Sequence, residues 1–186
     1  QPHQRVSWEG KTLQITGPVE LIKAIRQLDP AAKFDICLEH TADIGDLAEF
    51  LVGNANTVWG KKRVEYGLAE PVDVAVWELG NEMDWSANKV TVDEYIKYCR
   101  DAIAAVRKVQ PDAKFAVHAA TAPWAAAQSK NWKNWHQTLL REMPGEFQYF
   151  AFHPYYHGYP VSFIEKYLDA IDEDIKTSKT PEVKIF

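Results

Sequence analysis

Short apolar runs alternate with stretches of helical period, and this alternation constrains the fold more than any other feature of the chain. The runs predicted as strands are Phe34–Leu38, Val72–Trp77, Lys114–His118, Phe147–Phe152 and Val183–Phe186. Helices are predicted between them over Ile44–Leu51, from Thr91 to about Val106, over Asn131–Glu142 and over Val161–Lys176. An earlier helix is predicted over Pro18–Leu28, with Pro18 in its first turn and Asp29-Pro30 ending it. Thr91-Val92-Asp93-Glu94 has the form of a capping box, followed by an apolar stripe of Tyr95, Ile96, Cys99, Ile103 and Val106. Residues 53–71 read as a long polar connection with a helical turn around Lys61 to Tyr66.

Strand, helix, strand, helix at this spacing demands parallel strands joined by crossover helices. Either an open doubly wound sheet or a (β/α)₈ barrel satisfies that demand. The Gly-rich turn that marks a nucleotide-binding doubly wound sheet is absent. Polar residues sit instead at the ends of the predicted strands: Glu39-His40, Asn81-Glu82, His118 and His153 with Tyr155. In a barrel those ends form the active-site face. The expectation is therefore an α/β fold, a (β/α)₈ TIM barrel, with residues 1–186 forming a partial catalytic barrel. The chain opens at Gln1 without a signal peptide and stops within the apolar run Val183–Phe186, so it reads as truncated at both ends, with about three strands missing.

Composition excludes several classes of function. A net charge of −5 and a pI near 5.7 leave no basic footprint for nucleic acid. No apolar run approaches the roughly 18 residues that a bilayer span requires. Cys37 and Cys99 lack metal-ligand spacing and read as packing residues, and no cofactor or metal is expected. They do not fix the compartment, for which a secreted or periplasmic setting is slightly favoured over the cytoplasm. The chain is rich in aromatics, with seven Trp and eight Tyr. Trp85, Trp124, Tyr155, Tyr156 and Tyr159 fall in predicted loops, where rings can stack on sugar faces or serve as ordinary packing.

The sharpest chemical signal is Trp77-Glu78-Leu79-Gly80-Asn81-Glu82, directly after an apolar strand. Glycoside hydrolysis with retention needs one carboxylic acid at the glycosidic oxygen and a second carboxylate about 5–5.5 Å away. Glu82 at a strand end can be that acid, and the Asn81 amide can meet a sugar hydroxyl. Glu78 reads as an interior ion-pair partner. His118 reads as a substrate contact, with Trp85 and Trp124 as stacking platforms. Glu39 and His40 could line a subsite, and His157 and Tyr159 its rim. His136 on a predicted helix reads as solvent-facing, as do Asp172, Glu173 and Asp174.

The same hexapeptide resembles the acid/base motif at the fourth strand of clan A glycoside hydrolases, and in particular that of the family 51 α-L-arabinofuranosidases. Asp46–Leu51, Asn54–Gly60 and the approach Gly67–Pro71 are similar to that family upstream, and Phe152-His153-Pro154-Tyr155 resembles its strand-six His-x-Tyr. The resemblance implies a retaining hydrolase of plant-type polysaccharide or oligosaccharide. Glu82 would be its acid/base, Asn81 a substrate contact, and His153 and Tyr155 hydrogen-bonding partners. It makes the chain strands three to seven and sets the nucleophilic Glu just beyond Phe186, so this stretch alone is not expected to catalyse. A carbohydrate is the expected partner, with a homo-oligomer left open. Two alternatives stand beside it: a non-catalytic carbohydrate-binding barrel, and a metal-dependent barrel hydrolase using His118 and His153.

Overall fold

A computed structural model of the chain describes residues 3–8, 11–39, 43–84, 90–120, 132–153 and 160–186. The chain forms two compact units, Gln1–Phe34 with Asp46–Ala75 and Asp35–Gly45 with Val76–Phe186.

The first unit opens with β1 (His3–Trp8) and β2 (Lys11–Thr16), an antiparallel pair in register from His3↔Thr16 to Trp8↔Lys11. This pair has no counterpart among the predicted elements. Helices α1 (Pro18–Leu28), α2 (Ile44–Val52, with Ile44 and Gly45 in the second unit) and α3 (Val58–Glu65) follow. The predicted helical turn near Lys61 is thus a full helix, entered through Thr57, whose side chain accepts from the Gly60 N–H. Its function in the unit is carried by Arg63, which is completely buried. The guanidinium donates to the carbonyls of Phe50 (3.2 Å), Leu51 (3.5 Å) and Gly53 (2.6 Å) at the end of α2, and to those of Leu68 (3.2 Å) and Ala69 (3.5 Å). A helix end leaves carbonyls without intrahelical partners and carries partial negative charge, so a buried cation there satisfies both.

The second unit is built on a five-stranded sheet in the order β3 (Phe34–Leu38), β4 (Val74–Leu79), β5 (Phe115–His118), β6 (Tyr149–Ala151) and β7 (Lys184–Ile185). The pairs β4–β5, β5–β6 and β6–β7 are all parallel. Spatial order follows chain order without reversal, whereas a doubly wound sheet has a switch point where the order turns back. Helices α4 (Val92–Arg107), α5 (Trp132–Glu142) and α6 (Val161–Lys176) supply the crossovers. The capping box of α4 is formed from both sides, by Thr91 and Glu94. Tyr95, Ile96, Cys99, Ala102, Ile103 and Val106 bury its stripe, and Ile164, Tyr167, Ile171 and Ile175 bury that of α6.

Two expectations are corrected by this packing. His136 is fully buried, not solvent-facing, because it shares a stripe with Leu139 and Leu140 at helical spacing. Its Nε2 accepts from the Ala120 N–H at 3.0 Å, which puts the ring proton on Nδ1, and burial pushes its pKa down to about 3. Cys99 is a packing residue as expected, but Cys37 is exposed, since on β3 the buried positions are Phe34 and Leu38.

Two predictions follow from these buried groups. Replacing Arg63 by Met removes the donors of several carbonyls at once and should cost about 3 kcal/mol, at roughly 1 kcal/mol for each acceptor left dry. Urea unfolding measures this, and a loss below about 1 kcal/mol would show that water replaces the guanidinium. His136 takes up a proton near its ordinary 6.5 when unfolded but only near 3 when folded. Its contribution is therefore intact above pH 6.5 and lost as pH falls, by about 1.4 kcal/mol per pH unit in that window. His136→Gln, which keeps an acceptor for Ala120, should flatten the slope between pH 6.5 and 5; an unaltered slope would contradict the assignment.

Candidate active site

Parallel strands place their carboxyl ends on one edge of the sheet, and the residues singled out from the sequence meet there. Register puts Glu78 opposite Ala116, and His118 opposite Ala151, on a common face. Beyond β4 the chain turns sharply. Gly80 has φ +82°, and a Cβ there would lie 2.7 Å from Met83 Cγ and Sδ. Glu82 follows at φ +47°, the only non-glycine residue with positive φ among the described residues. Such a conformation costs a side-chain-bearing residue of order 1 kcal/mol or more and persists only where surrounding packing enforces it. Met83, buried at the base of the turn, is that packing.

The turn brings Glu82 Oε1 to 3.3 Å from Nδ1 of His153, which follows β6. The other ring nitrogen, Nε2, lies 3.4 Å from Oε1 of Glu78. Contact with Glu78, then with Glu82, raises the pKa of His153 against the opposing effect of burial. The ring of His118 packs edge-on against that of His153 at 5.2 Å, and its Nε2 lies 3.1 Å from Asp84 Oδ1. His118 itself is fully buried. On β3, partial desolvation and then the charge of Glu78 push the carboxyl of Asp35, an exposed residue, up to about 6.

The structure thus brings together Glu78, Glu82, His118 and His153. Asn81 occupies the same turn, between Gly80 and Glu82, and is exposed. Tyr155, Trp85 and Trp124 lie outside the described residues, as do His40, Tyr156, His157 and Tyr159. Glu39 is exposed after β3. Asp84 was not singled out from the sequence; its offset of two from Glu82 was the available signal. Both ring nitrogens of His153 face carboxylates, and among the described residues no group of three or more His, Cys, Asp or Glu side chains is arranged to hold a metal ion. The geometry suits proton transfer: a carboxyl group on a fixed turn, hydrogen-bonded to an imidazole, on the open edge of a parallel sheet.

The chain is similar to several arabinofuranosidases. The intracellular exo-α-(1→5)-L-arabinofuranosidase of Streptomyces lividans is 25% identical over 158 residues, which is 81% of this chain and 23% of that protein. Thus the chain spans about a quarter of that relative's length. Among solved structures, the family 51 α-L-arabinofuranosidase AbfB of Bifidobacterium longum superposes with a TM-score of 0.75 at 16% identity, covering 91% of this chain and 37% of that one. The GH51 α-L-arabinofuranosidase of Thermotoga petrophila RKU-1 gives 0.74 at 21% identity, over 98% and 39%. The sheet with its crossover helices is accordingly a partial (β/α)₈ barrel. No helix among the described residues is long and apolar enough to cross a membrane. The preference for a secreted or periplasmic setting is overturned, because the S. lividans relative and three others carry the name intracellular. The family described as the alpha-L-arabinofuranosidase 1 domain matches residues 11–167, and the chain belongs to that family.

Proposed function

We propose that this chain carries the acid/base half of a retaining glycoside hydrolase site of the α-L-arabinofuranosidase type. The observation that carries the reading is the Glu82 carboxyl, set on a left-handed residue after β4 and hydrogen-bonded to His153 at the carboxyl edge of the sheet. Glu82 protonates the glycosidic oxygen as its bond to the anomeric carbon breaks, while a second carboxylate attacks that carbon from the opposite face. In the second half-reaction the Glu82 carboxylate takes a proton from water, which displaces the enzyme carboxylate and restores the original configuration. The resemblance assigns the second carboxylate to the segment after β7. β7 runs parallel to β6, so its carboxyl end lies on the same edge as that of β6, which His153 follows.

Asn81, beside the acid, is placed to hydrogen-bond a sugar hydroxyl. His153 and Tyr155 are assigned hydrogen bonds to substrate, and Trp85 and Trp124 stacking roles, whereas His118, fully buried and edge-on against the His153 ring, supports that ring instead of meeting the sugar. The substrate is a plant-type polysaccharide or oligosaccharide bearing arabinofuranosyl groups, in keeping with the names of the relatives. Neither a cofactor nor a metal enters the sequence of steps.

Substitution of Glu82 by Ala in the whole enzyme should lower kcat/KM for glycosides of basic leaving groups by about 10²–10⁴-fold. Activated aryl glycosides should suffer less, because their departure needs little protonation. Azide should restore turnover of the glycosyl-enzyme and yield a glycosyl azide of retained configuration. Equal losses on both substrate types, without azide rescue, would remove Glu82 from the acid/base role.

A further inference from the structure

His153 holds two carboxylates, and only one of them has a role in the proposed reaction. Glu78 lies on β4, four residues before Glu82, with 9% of its surface exposed. It meets Nε2 of the ring, while Glu82 meets Nδ1. A neutral imidazole carries one proton, so it can donate to one of these partners and must accept from the other. We propose that Glu78 is a positioning residue: its carboxylate, an ion-pair partner 3.4 Å from Nε2 of His153, favours the ring proton on Nε2, so that Nδ1 and Glu82 share a single proton. The proposal rests on the reading of Glu82 as the acid/base.

The consequence follows from counting protons. With the ring proton on Nε2, facing the charge of Glu78, Nδ1 offers a lone pair to the Glu82 carboxyl when that group is protonated. If the shared proton moves to Nδ1, the ring becomes a cation between two carboxylates, and the total number of protons is unchanged. In glycosylation the proton leaves through Glu82 to the glycosidic oxygen. In deglycosylation one returns from the attacking water. Without Glu78 the ring can carry its proton on Nδ1 instead, and Glu82 then meets a donor that favours its ionised form.

Other charges face this pair from each neighbouring strand. From β3, Asp35 and Cys37 both feel the charge of Glu78, and Glu39 acts on Cys37. From β5, His118 contacts the His153 ring and is backed by Asp84. β7 contributes Lys184, paired in register with Tyr149, four residues before His153. None of these contacts either ring nitrogen among the described hydrogen bonds and ion pairs, so Glu78 is the group whose charge the Nε2–H meets. The raised pKa of His153, with Glu78 as its largest cause, agrees with this arrangement.

Nitrogen-15 NMR of the histidine-labelled protein reads the arrangement without requiring turnover or mutation. The unmodified protein should show a neutral His153 ring protonated at Nε2 and bare at Nδ1. In Glu78→Gln, which preserves shape and an acceptor, the His153 titration midpoint should move to lower pH. The kcat of the whole enzyme should fall about tenfold or more, on the scale of lost outer-shell partners, with KM little changed and the pH–rate profile displaced. An Nδ1–H ring in the unmodified protein overturns the proposal whether or not the variant folds. So does an unmoved His153 midpoint in a folded Glu78→Gln protein. Should the tautomer be as stated while kcat and the pH–rate profile stay unaltered, the positioning role falls. Failure of azide rescue at Glu82 would instead count against the acid/base reading, independently of the NMR result.

Discussion

The candidate site depends on one buried hydroxyl. Tyr95 of α4 is fully buried and donates its O–H to the carbonyl of Leu79 at 2.6 Å, while accepting the N–H of His118 at 2.7 Å. The pairing of β4 with β5 ends at Leu79↔Val117, and at that point the strand-end groups need other partners. A dry peptide group without one costs about 1–3 kcal/mol. Tyr95 meets the demand of both strands at once and so fixes the last residue of β4 relative to the last of β5. Those residues lead directly into the turn of Glu82 and into His118.

The same solution is repeated around the edge. Tyr98 donates to the Leu38 carbonyl at the end of β3, and Trp135 to the His118 carbonyl at 3.0 Å. Tyr167 donates to the Ala120 carbonyl, and His136 accepts the Ala120 N–H. Each comes from a crossover helix, so the helices that bury the sheet also complete its hydrogen bonding where the strands stop. This rigid rim supports a strained turn, Gly80 at φ +82° and Glu82 at φ +47°. Strain of this kind survives only on a framework that leaves the backbone no cheaper alternative, and here it holds a carboxyl group in reach of an imidazole.

Much of this was legible in the sequence. Short apolar runs marked the five strands, and the helix over Val161–Lys176 is found with its predicted bounds. Strand-end placement brought out Glu82, His118 and His153, because in a parallel sheet the residue after the strand is committed to one edge. Less was legible where a side chain's role depends on a distant partner. Tyr95 looked like an ordinary apolar-stripe residue, and nothing local to it or to Tyr167 shows that their hydroxyls bond strand-end carbonyls. Arg63 looked like one more charge in a polar connection, though it is the buried cap of α2. His136 was misread as surface despite its spacing from Leu139 and Leu140, since polarity was weighed above period. The β1–β2 pair escaped notice because its strands, HQRVSW and KTLQIT, are polar and are separated by Glu9-Gly10 rather than a strong hairpin signal.

The central claim is that strand ends locked by Tyr95 present Glu82 as a proton donor. Tyr95→Phe removes one oxygen from the core and leaves the Glu82 carboxyl intact, so it separates presentation from chemistry. The decisive measurement is kcat/KM of this variant, in the whole enzyme, on aryl glycosides of graded leaving-group basicity. The account predicts a loss that grows with leaving-group basicity, because the proton is delivered from a loosened turn. A uniform loss across the series, or none in a folded variant, would contradict it.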